Sequence, residues 1–455
     1  MKLKSLPHQI LRLPETPPLT PPCEPLSTRS SCDYLGDLAL STKSDPSSYA
    51  NPVVAVIGTG YVGLHLVEAF SSAYEVIAFD VSQRRLDTIG STLPASVSCT
   101  SNAADLTRAT HFLISVSTVI DERQNIDTAC TRKAIQTIET YARPGSTIVI
   151  ESSVAVGMTR DLLSSLMETK GLKCGMSPER VDPGRTYPHY TTIPKIISGL
   201  DGASLQSIQS LYSAVFHNLV LVSSPEVAEM TKLYENCQRM MCIAYANEMA
   251  DACTQLSQSL SEKYSTHEKR RLSNTIAIDP LEVSRAAATK PFGYMPYTPS
   301  LGVGGHCIPC NPYYLFSNSS FPLLEACTDR MRERPARIGD ELMTKLRNQS
   351  SGRKHILVVG LGFKRGQSVL SHSPGLALAT HLLSNYNVYV AFADPLVEQA
   401  AVLSIPKLDE ADWNVQTLLQ FNGIVVAVDQ PGLDWSVVKE VEAQGAHVEW
   451  FCSVS

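Results

Sequence analysis

No apolar run in this 455-residue chain approaches the roughly 18 residues that a bilayer-spanning helix needs, so the sequence reads as a soluble protein without a membrane partner. A basic excess is also missing. The 38 Lys and Arg stand against 44 Asp and Glu, a net charge of −6, which argues against a nucleic-acid platform. The 12 cysteines follow no regular spacing, and the N-terminus has none of the apolar stretch of a secretory signal. Reduced thiols, mostly buried as small hydrophobes, are therefore expected rather than a disulfide framework. Solenoid-period repeats are absent too. What remains is 44% hydrophobic and 18% charged, enough to bury sizeable cores, over a length that suits two or three domains.

The first 50 residues are set apart. Pro14, Pro17, Pro18, Pro21, Pro22 and Pro25 lie among Ser and Thr without apolar periodicity, a composition that predicts disorder over 1–50. Glu15 and Glu24 count against a mitochondrial presequence, and a cytoplasmic location is expected.

Beyond them, Val53-Val-Ala-Val-Ile57 is an apolar run of strand length, followed by Gly58-Thr-Gly60-Tyr61-Val62-Gly63 and a helical pattern through Phe70. Strand, glycine turn and helix in that order form the phosphate-binding unit of a Rossmann fold. Gly58 permits the turn, Gly60 lets a pyrophosphate approach the backbone, and Gly63 lets helix and strand pack closely. The helix N-terminus offers unpaired N–H groups to the phosphates. The next strand, Glu75-Val-Ile-Ala-Phe-Asp80, ends in an acid whose carboxylate suits ribose hydroxyls and repels a 2′-phosphate, so NAD is the expected cofactor. Arg84 and Arg85 are near enough to temper that preference. Further strands are predicted at His111–Ser117 and Ser146–Ile150, with a helix around Thr131–Tyr141 between them. Strands alternating with helices imply a parallel sheet with ligands at the strand C-terminal ends. Ser117, Thr118, Glu151, Ser152 and Ser153 fall there, either as ligand contacts or as turn and helix caps.

From Pro225, apolar residues recur every three or four positions toward about residue 260, predicting one long amphipathic helix able to bridge two domains and to form a dimer interface. Lys232 and Asn236 project from one face of it, one turn apart. Together they could hold an oxyanion, although on their own a solvated helix face explains them better. Glycines then precede a cysteine in Gly302-Val-Gly304-Gly305-His-Cys307-Ile-Pro-Cys310-Asn311-Pro312. Thiolate is a strong nucleophile near neutral pH, and glycines let a substrate come close to it. Cys307-x-x-Cys310 also resembles a disulfide-exchange motif, but no thioredoxin-like unit surrounds it, and Pro309 and Pro312 argue against a helix following it. A second Cys pair of zinc-site spacing is lacking, so no metal is expected.

These residues resemble the UDP-glucose/GDP-mannose dehydrogenase family, and most nearly its branch oxidising UDP-N-acetylglucosamine or UDP-N-acetylmannosamine. The matching segments run in family order over roughly 53–400: the glycine turn, Glu151-Ser-Ser-Val, Ser177-Pro-Glu-Arg-Val-Asp-Pro-Gly184, Glu229-Met-Thr-Lys-Leu-Tyr-Glu-Asn236, Ala288-Thr-Lys-Pro-Phe-Gly-Tyr-Met-Pro-Tyr297 and Gly304-Gly-His-Cys-Ile-Pro309. The resemblance implies an α/β fold of two Rossmann-like, doubly wound parallel-sheet domains bridged by a long central helix, assembled as a homodimer. A second glycine turn at Ile356–Lys364 and a strand ending at Asp394 agree with it. Expected boundaries are 1–50 for the extension, 51–222 for the NAD-binding domain, 223–334 for the central helix and cysteine loop, and 335–455 for the nucleotide-sugar-binding domain.

The implied reaction takes a sugar C6 alcohol to a carboxylate in two hydride transfers through a Cys307 thiohemiacetal and thioester. The resemblance assigns Lys232 and Asn236 to the oxyanions and Glu179 to water activation. It places Thr118, Glu151, Ser153 and Arg85 at the cofactor. Arg180, Phe292, Tyr297, Gly304, Gly305 and Lys364 fall at the nucleotide-sugar substrate. Three features depart from the family pattern. Asn311 stands where the family has Asp, Ser371 where it has an Arg that grips substrate, and 258–278 is longer and more charged, with Lys269, Arg270 and Arg271 read as a solvated loop. UDP-glucose or GDP-mannose as substrate, or a non-catalytic nucleotide-binding scaffold, are the alternatives these departures leave open.

Overall fold

A computed structural model describes residues 51–454 apart from 122–123, 186, 266–275 and 348–351. The extension predicted to be disordered, and the Lys269–Arg271 stretch, lie outside the described residues. Strands β1 (Val53–Ile57), β2 (Glu75–Phe79), β3 (Val97–Thr100) and β4 (His111–Ile114) open the chain. A short hairpin follows, β5 (Val119–Ile120) with β6 (Ile126–Asp127), and then β7 (Thr147–Ile150), β8 (Lys173–Met176), β9 (Lys195–Gly199) and β10 (Leu219–Leu221). Apart from the hairpin they form one sheet, ordered β10-β9-β8-β7-β4-β1-β2-β3. The predicted strands His111–Ser117 and Ser146–Ile150 are present but shorter than their apolar runs.

Continuous apolar strands arise because helices cover both faces of this sheet. Along β1, Ala55 and Ile57 enter one core while Val54 and Val56 enter the other, as the strand's period of two requires. The sheet is parallel as far as β8, where β9 turns antiparallel, pairing Gly175 with Gly199 and Met176 with Ser198. Backbones meet there so closely that a Cβ on Gly175 would lie 2.1 Å from the Ser198 carbonyl oxygen.

The helix Pro225–Ser265 is 41 residues long, roughly 60 Å at the α-helical rise. Ala228, Leu233, Cys237, Met240 and Ala244 are buried along it, whereas Tyr234, Tyr245 and Leu256 stand 67%, 60% and 53% exposed. A second sheet follows from β11 (Lys354–Val359), β12 (Val388–Ala393), β13 (Gly423–Val426) and β14 (Val448–Trp450), all parallel in the order β12-β11-β13-β14. No described helix is long and apolar enough to cross a membrane.

Two expectations are corrected. The boundary at 334/335 falls inside one helix, Pro322–Leu346. Leu324 and Met331 of its first half pack with the central helix, and Ile338, Leu342 and Leu346 of its second half enter the C-terminal core. Pro335 marks the changeover; its ring removes one helical hydrogen bond there. The second correction concerns the cysteine loop, which is followed at once by a helix, Asn311–Phe316. Pro312 occupies its first turn, where a missing N–H costs nothing, so it starts this helix instead of preventing it.

Candidate active site

The glycine turn closes as its spacing predicts. Gly58 has φ +90°, and a Cβ on Gly63 would sit 1.9 Å from the Gly58 carbonyl oxygen, so only glycine fits. Gly60 differs, because an added Cβ would meet nothing within 4 Å. Its glycine leaves open room rather than relieving a protein contact. Helix Tyr61–Phe70 begins there with no side-chain cap and no acid in its first turn. Its first N–H groups, Val62 and Gly63 among them, are thus left to an anionic ligand. Asp80 takes the Thr59 N–H at 2.8 Å and hydroxyl at 2.9 Å on one oxygen and the Ser82 N–H at 2.9 Å on the other. Arg85 donates to the Thr59 carbonyl at 2.8 Å, bracing the turn from outside. These features fit a dinucleotide's pyrophosphate and ribose.

Thr118 and Ser153 are half-buried beyond the ends of β4 and β7. Glu151 points elsewhere. It is fully buried, pairs with Lys195 at 2.6 Å and accepts the Tyr212 hydroxyl. Burial raises the Glu151 carboxyl above its usual range, and Lys195 pulls the other way.

The cysteine loop joins three elements. The Cys307 carbonyl accepts from Cys310 N at 3.2 Å and Asn311 N at 2.9 Å, which turns the chain into the next helix. Asn311, 2% exposed, accepts from the Asn236 amide at 2.5 Å, so central helix and cysteine loop meet through two amide side chains. Lys232, one turn earlier, is 7% exposed, and its side chain has no ion pair or hydrogen bond among the described residues. Glu229, one turn before that, accepts Gly157 N at 2.6 Å and Thr159 N at 2.8 Å, capping helix Met158–Lys170 and fixing the central helix to the first domain. Cys307 itself is exposed.

From the C-terminal domain, the segment after the second glycine turn clasps the same loop. Gly305 N donates to the Ser371 carbonyl at 2.8 Å, the Ser371 hydroxyl lies 3.3 Å from His306 Nε2, and His372 Nε2 lies 3.4 Å from Cys310 Sγ. A Cβ on Gly304 or Gly305 would come within 3.0 Å of Phe363, so both glycines are required by this contact. The second turn repeats the first: Asp394 accepts Leu361 N at 2.7 Å and Gly362 N at 2.9 Å.

The loop 177–184 lies between the domains. Arg180 pairs with Glu235 of the central helix at 2.6 Å, Lys364 pairs with Asp182 at 2.8 Å, and Tyr61 OH donates to the Asp182 carbonyl at 3.4 Å. Glu179 turns back on its own loop and accepts from Val181 N. No hydrogen bond joins it to Cys307, Lys232 or Asn236 among the described residues. Tyr297 is half-buried, while Phe292 is 67% exposed with Lys290 Nζ 4.8 Å over its ring, on a stretch whose helix Pro280–Ala288 buries nothing. Thus Asn236, Asn311 and Cys307 are brought together and Phe292 is not. Glu229, Lys195, His372 and Phe363 were missed from sequence, because each acts across at least 44 residues and carries no local signal.

Two nucleotide-type sheets, an open glycine turn and an exposed cysteine between them define an NAD-dependent dehydrogenase. Comparison with known proteins narrows this. Residues 53–216 match the NAD-binding domain, and 264–326 the central domain, of the UDP-glucose/GDP-mannose dehydrogenase family. The chain is 31% identical over 373 residues to UDP-N-acetyl-D-glucosamine 6-dehydrogenase of Pseudomonas aeruginosa, covering 76% of this chain and 83% of that one. It is 28% identical over 407 residues to UDP-N-acetyl-D-mannosamine dehydrogenase of Pyrococcus horikoshii, covering 83% and 89%. The structure of UDP-D-ManNAc dehydrogenase from Pyrococcus horikoshii superposes with TM-score 0.72 at 25% identity, covering 86% of this chain and 93% of that one. A UDP-glucose dehydrogenase from Pyrobaculum islandicum shares the fold with TM-score 0.74 at 20% identity, covering 91% and 97%. The chain belongs to the UDP-glucose/GDP-mannose dehydrogenase family.

Proposed function

We propose that this protein oxidises the C6 alcohol of a UDP-N-acetylhexosamine to the carboxylate, with Cys307 as the covalent nucleophile. The observation that carries the reading is Lys232, buried without a counter-ion among the described residues, on the same helix face as Asn236, which is two hydrogen bonds from Cys307. A desolvated cation and an amide on the helix face tied to the cysteine loop suit an anionic oxygen at the attacked carbon.

Bound NAD supplies the hydride acceptor for each of two oxidations. Gly58, Gly60, Tyr61, Val62, Gly63, Asp80, Arg85, Thr118 and Ser153 hold it, with Glu151 bracing the sheet end beneath. Once the alcohol has become an aldehyde, the Cys307 sulfur adds to C6. Lys232 and Asn236 hold the resulting oxygen anion, and the second oxidation leaves a thioester on Cys307. Glu179 activates the water that releases the acid, turning out from its own loop to do so. Asn311 positions Asn236. Arg180, Tyr297, Gly304, Gly305 and Lys364 face the nucleotide sugar, with Phe292 at the exposed edge of the same substrate set. The unpaired apolar side of the central helix, with Tyr234, Tyr245 and Leu256, supports a homodimer. A cytoplasmic setting supplies both cofactor and substrate.

The test is NADH formation by purified protein with UDP-N-acetylglucosamine, UDP-N-acetylmannosamine, UDP-glucose and GDP-mannose, beside Cys307→Ala. Two NADH per sugar, with the variant yielding no acid, is expected. Silence from every sugar while NAD still binds would replace the enzyme with a nucleotide-binding scaffold.

A further inference from the structure

The family reaction needs one thiol, yet this chain keeps two, Cys307 and Cys310, on a single turn. Both are free; Cys307 is exposed and Cys310 is 3% exposed. Because Cys307's carbonyl accepts from Cys310 N and Asn311 N, the two Cα atoms are held within a hydrogen-bonded turn. Such a turn spans less than about 7 Å, and a disulfide needs about 4.4–6.8 Å. The thiols also sense each other electrostatically: burial first, and charge on Cys307 second, together push the Cys310 thiol up to about 12. The third member is His372, whose Nε2 lies 3.4 Å from Cys310 Sγ. His372 is held with φ 49°, a left-handed conformation uncommon outside glycine. The Ser371 carbonyl is tied to Gly305 N and the Ser373 side chain accepts from Leu376 N, so the histidine is fixed on both sides. Burial and the neighbouring His306 keep its imidazole below its usual pKa, hence neutral near pH 7 and able to take a proton.

We propose that Cys310 is the resolving thiol for Cys307, so that a hydroperoxide converts the exposed nucleophile into a reversible Cys307–Cys310 disulfide instead of destroying it. This rests on the reading of Cys307 as nucleophile only for its consequence, the reversible loss of turnover. In the first step the Cys307 thiolate attacks a peroxide oxygen; the O–O bond breaks, Cys307 becomes the sulfenic acid, and hydroxide leaves and is protonated to water. In the second, His372 Nε2 takes the Cys310 proton and the Cys310 sulfur attacks the Cys307 sulfur. The S–O bond breaks and the departing hydroxide recovers the proton from His372 as water. Two thiols are oxidised by two electrons and one hydrogen peroxide is reduced to two waters. Without a resolving thiol, sulfenic acid proceeds to the irreversible sulfinic acid.

The experiment exposes the full chain to excess hydrogen peroxide, alkylates the remaining thiols and measures peptide masses, cleaving after Tyr313 and Tyr314 so that Cys327 is separated. Expected from the wild type is a peptide lighter by two hydrogens, unalkylated at Cys307 and Cys310 and restored by dithiothreitol. Expected from Cys310→Ala and Cys310→Ser is Cys307 heavier by two oxygens and not restored. Sulfinic acid forming on Cys307 as fast in the wild type as in both variants would overturn the proposal. So would a bridge from Cys310 to Cys237, its neighbour in the buried cluster. Masses report the outcome whether or not any nucleotide sugar is oxidised, so failure here and failure of the dehydrogenase reading are separable.

Discussion

The Asn236 side-chain amide donates to the Asn311 side-chain oxygen at 2.5 Å, joining the central helix to the turn that carries Cys307. An amide at 311 can accept this bond as well as a carboxylate can, but it cannot take a proton from water. Asn311→Asp should therefore keep the fold and speed acid release roughly tenfold, a fraction of what general-base catalysis can supply. Asn311→Leu, by contrast, strands a buried donor at a cost of about 1–3 kcal/mol. NADH rates and urea unfolding of both variants test this. An unchanged rate in Asn311→Asp would show that proton handling lies elsewhere.

Lys364 reaches across the domain gap to Asp182 at 2.8 Å and the Pro183 carbonyl at 3.1 Å. Its side chain is 41% exposed, so the pair itself adds little stability, under about 1 kcal/mol. Lys364→Ala should leave the melting temperature almost unmoved while raising KM for the nucleotide sugar about tenfold, the worth of one charge-assisted hydrogen bond. Equal KM values would remove Lys364 from the substrate site.

Which parts of this arrangement were readable from the chain depends on distance along it. The glycine turn, Asp80 and the second turn at Gly360 and Gly362 are local patterns, and the structure closes each of them as spacing requires. Lys232 and Asn236 share a face because helical period puts them there. By contrast, the Lys364–Asp182 contact spans 182 residues and Cys310–His372 spans 62. Such pairings leave no period to detect. Pro312 misled for a different reason, since proline breaks a helix interior and favours a helix start, and only the fold decides which position it occupies. The helix Pro322–Leu346 hid the domain junction because its apolar period runs on unbroken while the surface it packs against changes.

Glu229 ties the placement of Lys232 to stability. Its carboxylate holds two N–H groups at the start of helix Met158–Lys170, one turn from Lys232. Glu229→Ala leaves both donors without their acceptor and should cost about 2–3 kcal/mol in denaturant unfolding. Glu229→Gln retains an acceptor and should lose less than half as much. Equal losses from the two variants would show that packing, rather than the cap, fixes this helix.

His111 at the start of β4 gives the fold a defined acid sensitivity. It is 6% exposed, and its ring nitrogens lie 2.9 Å from the Thr110 hydroxyl and 3.4 Å from that of Ser207. Burial, with a smaller push from Lys173, lowers its pKa from 6.5 to about 4. Unfolded chains take up this proton below pH 6.5, while folded ones refuse it until about pH 4. Between those limits the unfolded state binds more protons, so stability is present above pH 6.5 and drains away as pH falls through about 4. The shift corresponds to about 3 kcal/mol at 1.36 kcal/mol per pKa unit. In urea titrations at pH 7 and pH 4, the wild type should therefore lose about 3 kcal/mol more than His111→Gln, which has no proton to gain. Parallel losses in the two proteins would mean that His111 accepts its proton in the folded state as readily as in the unfolded one. In that case the acid sensitivity would have to come from groups that titrate at lower pH, such as Glu226, which the Arg160 guanidinium holds at about 2.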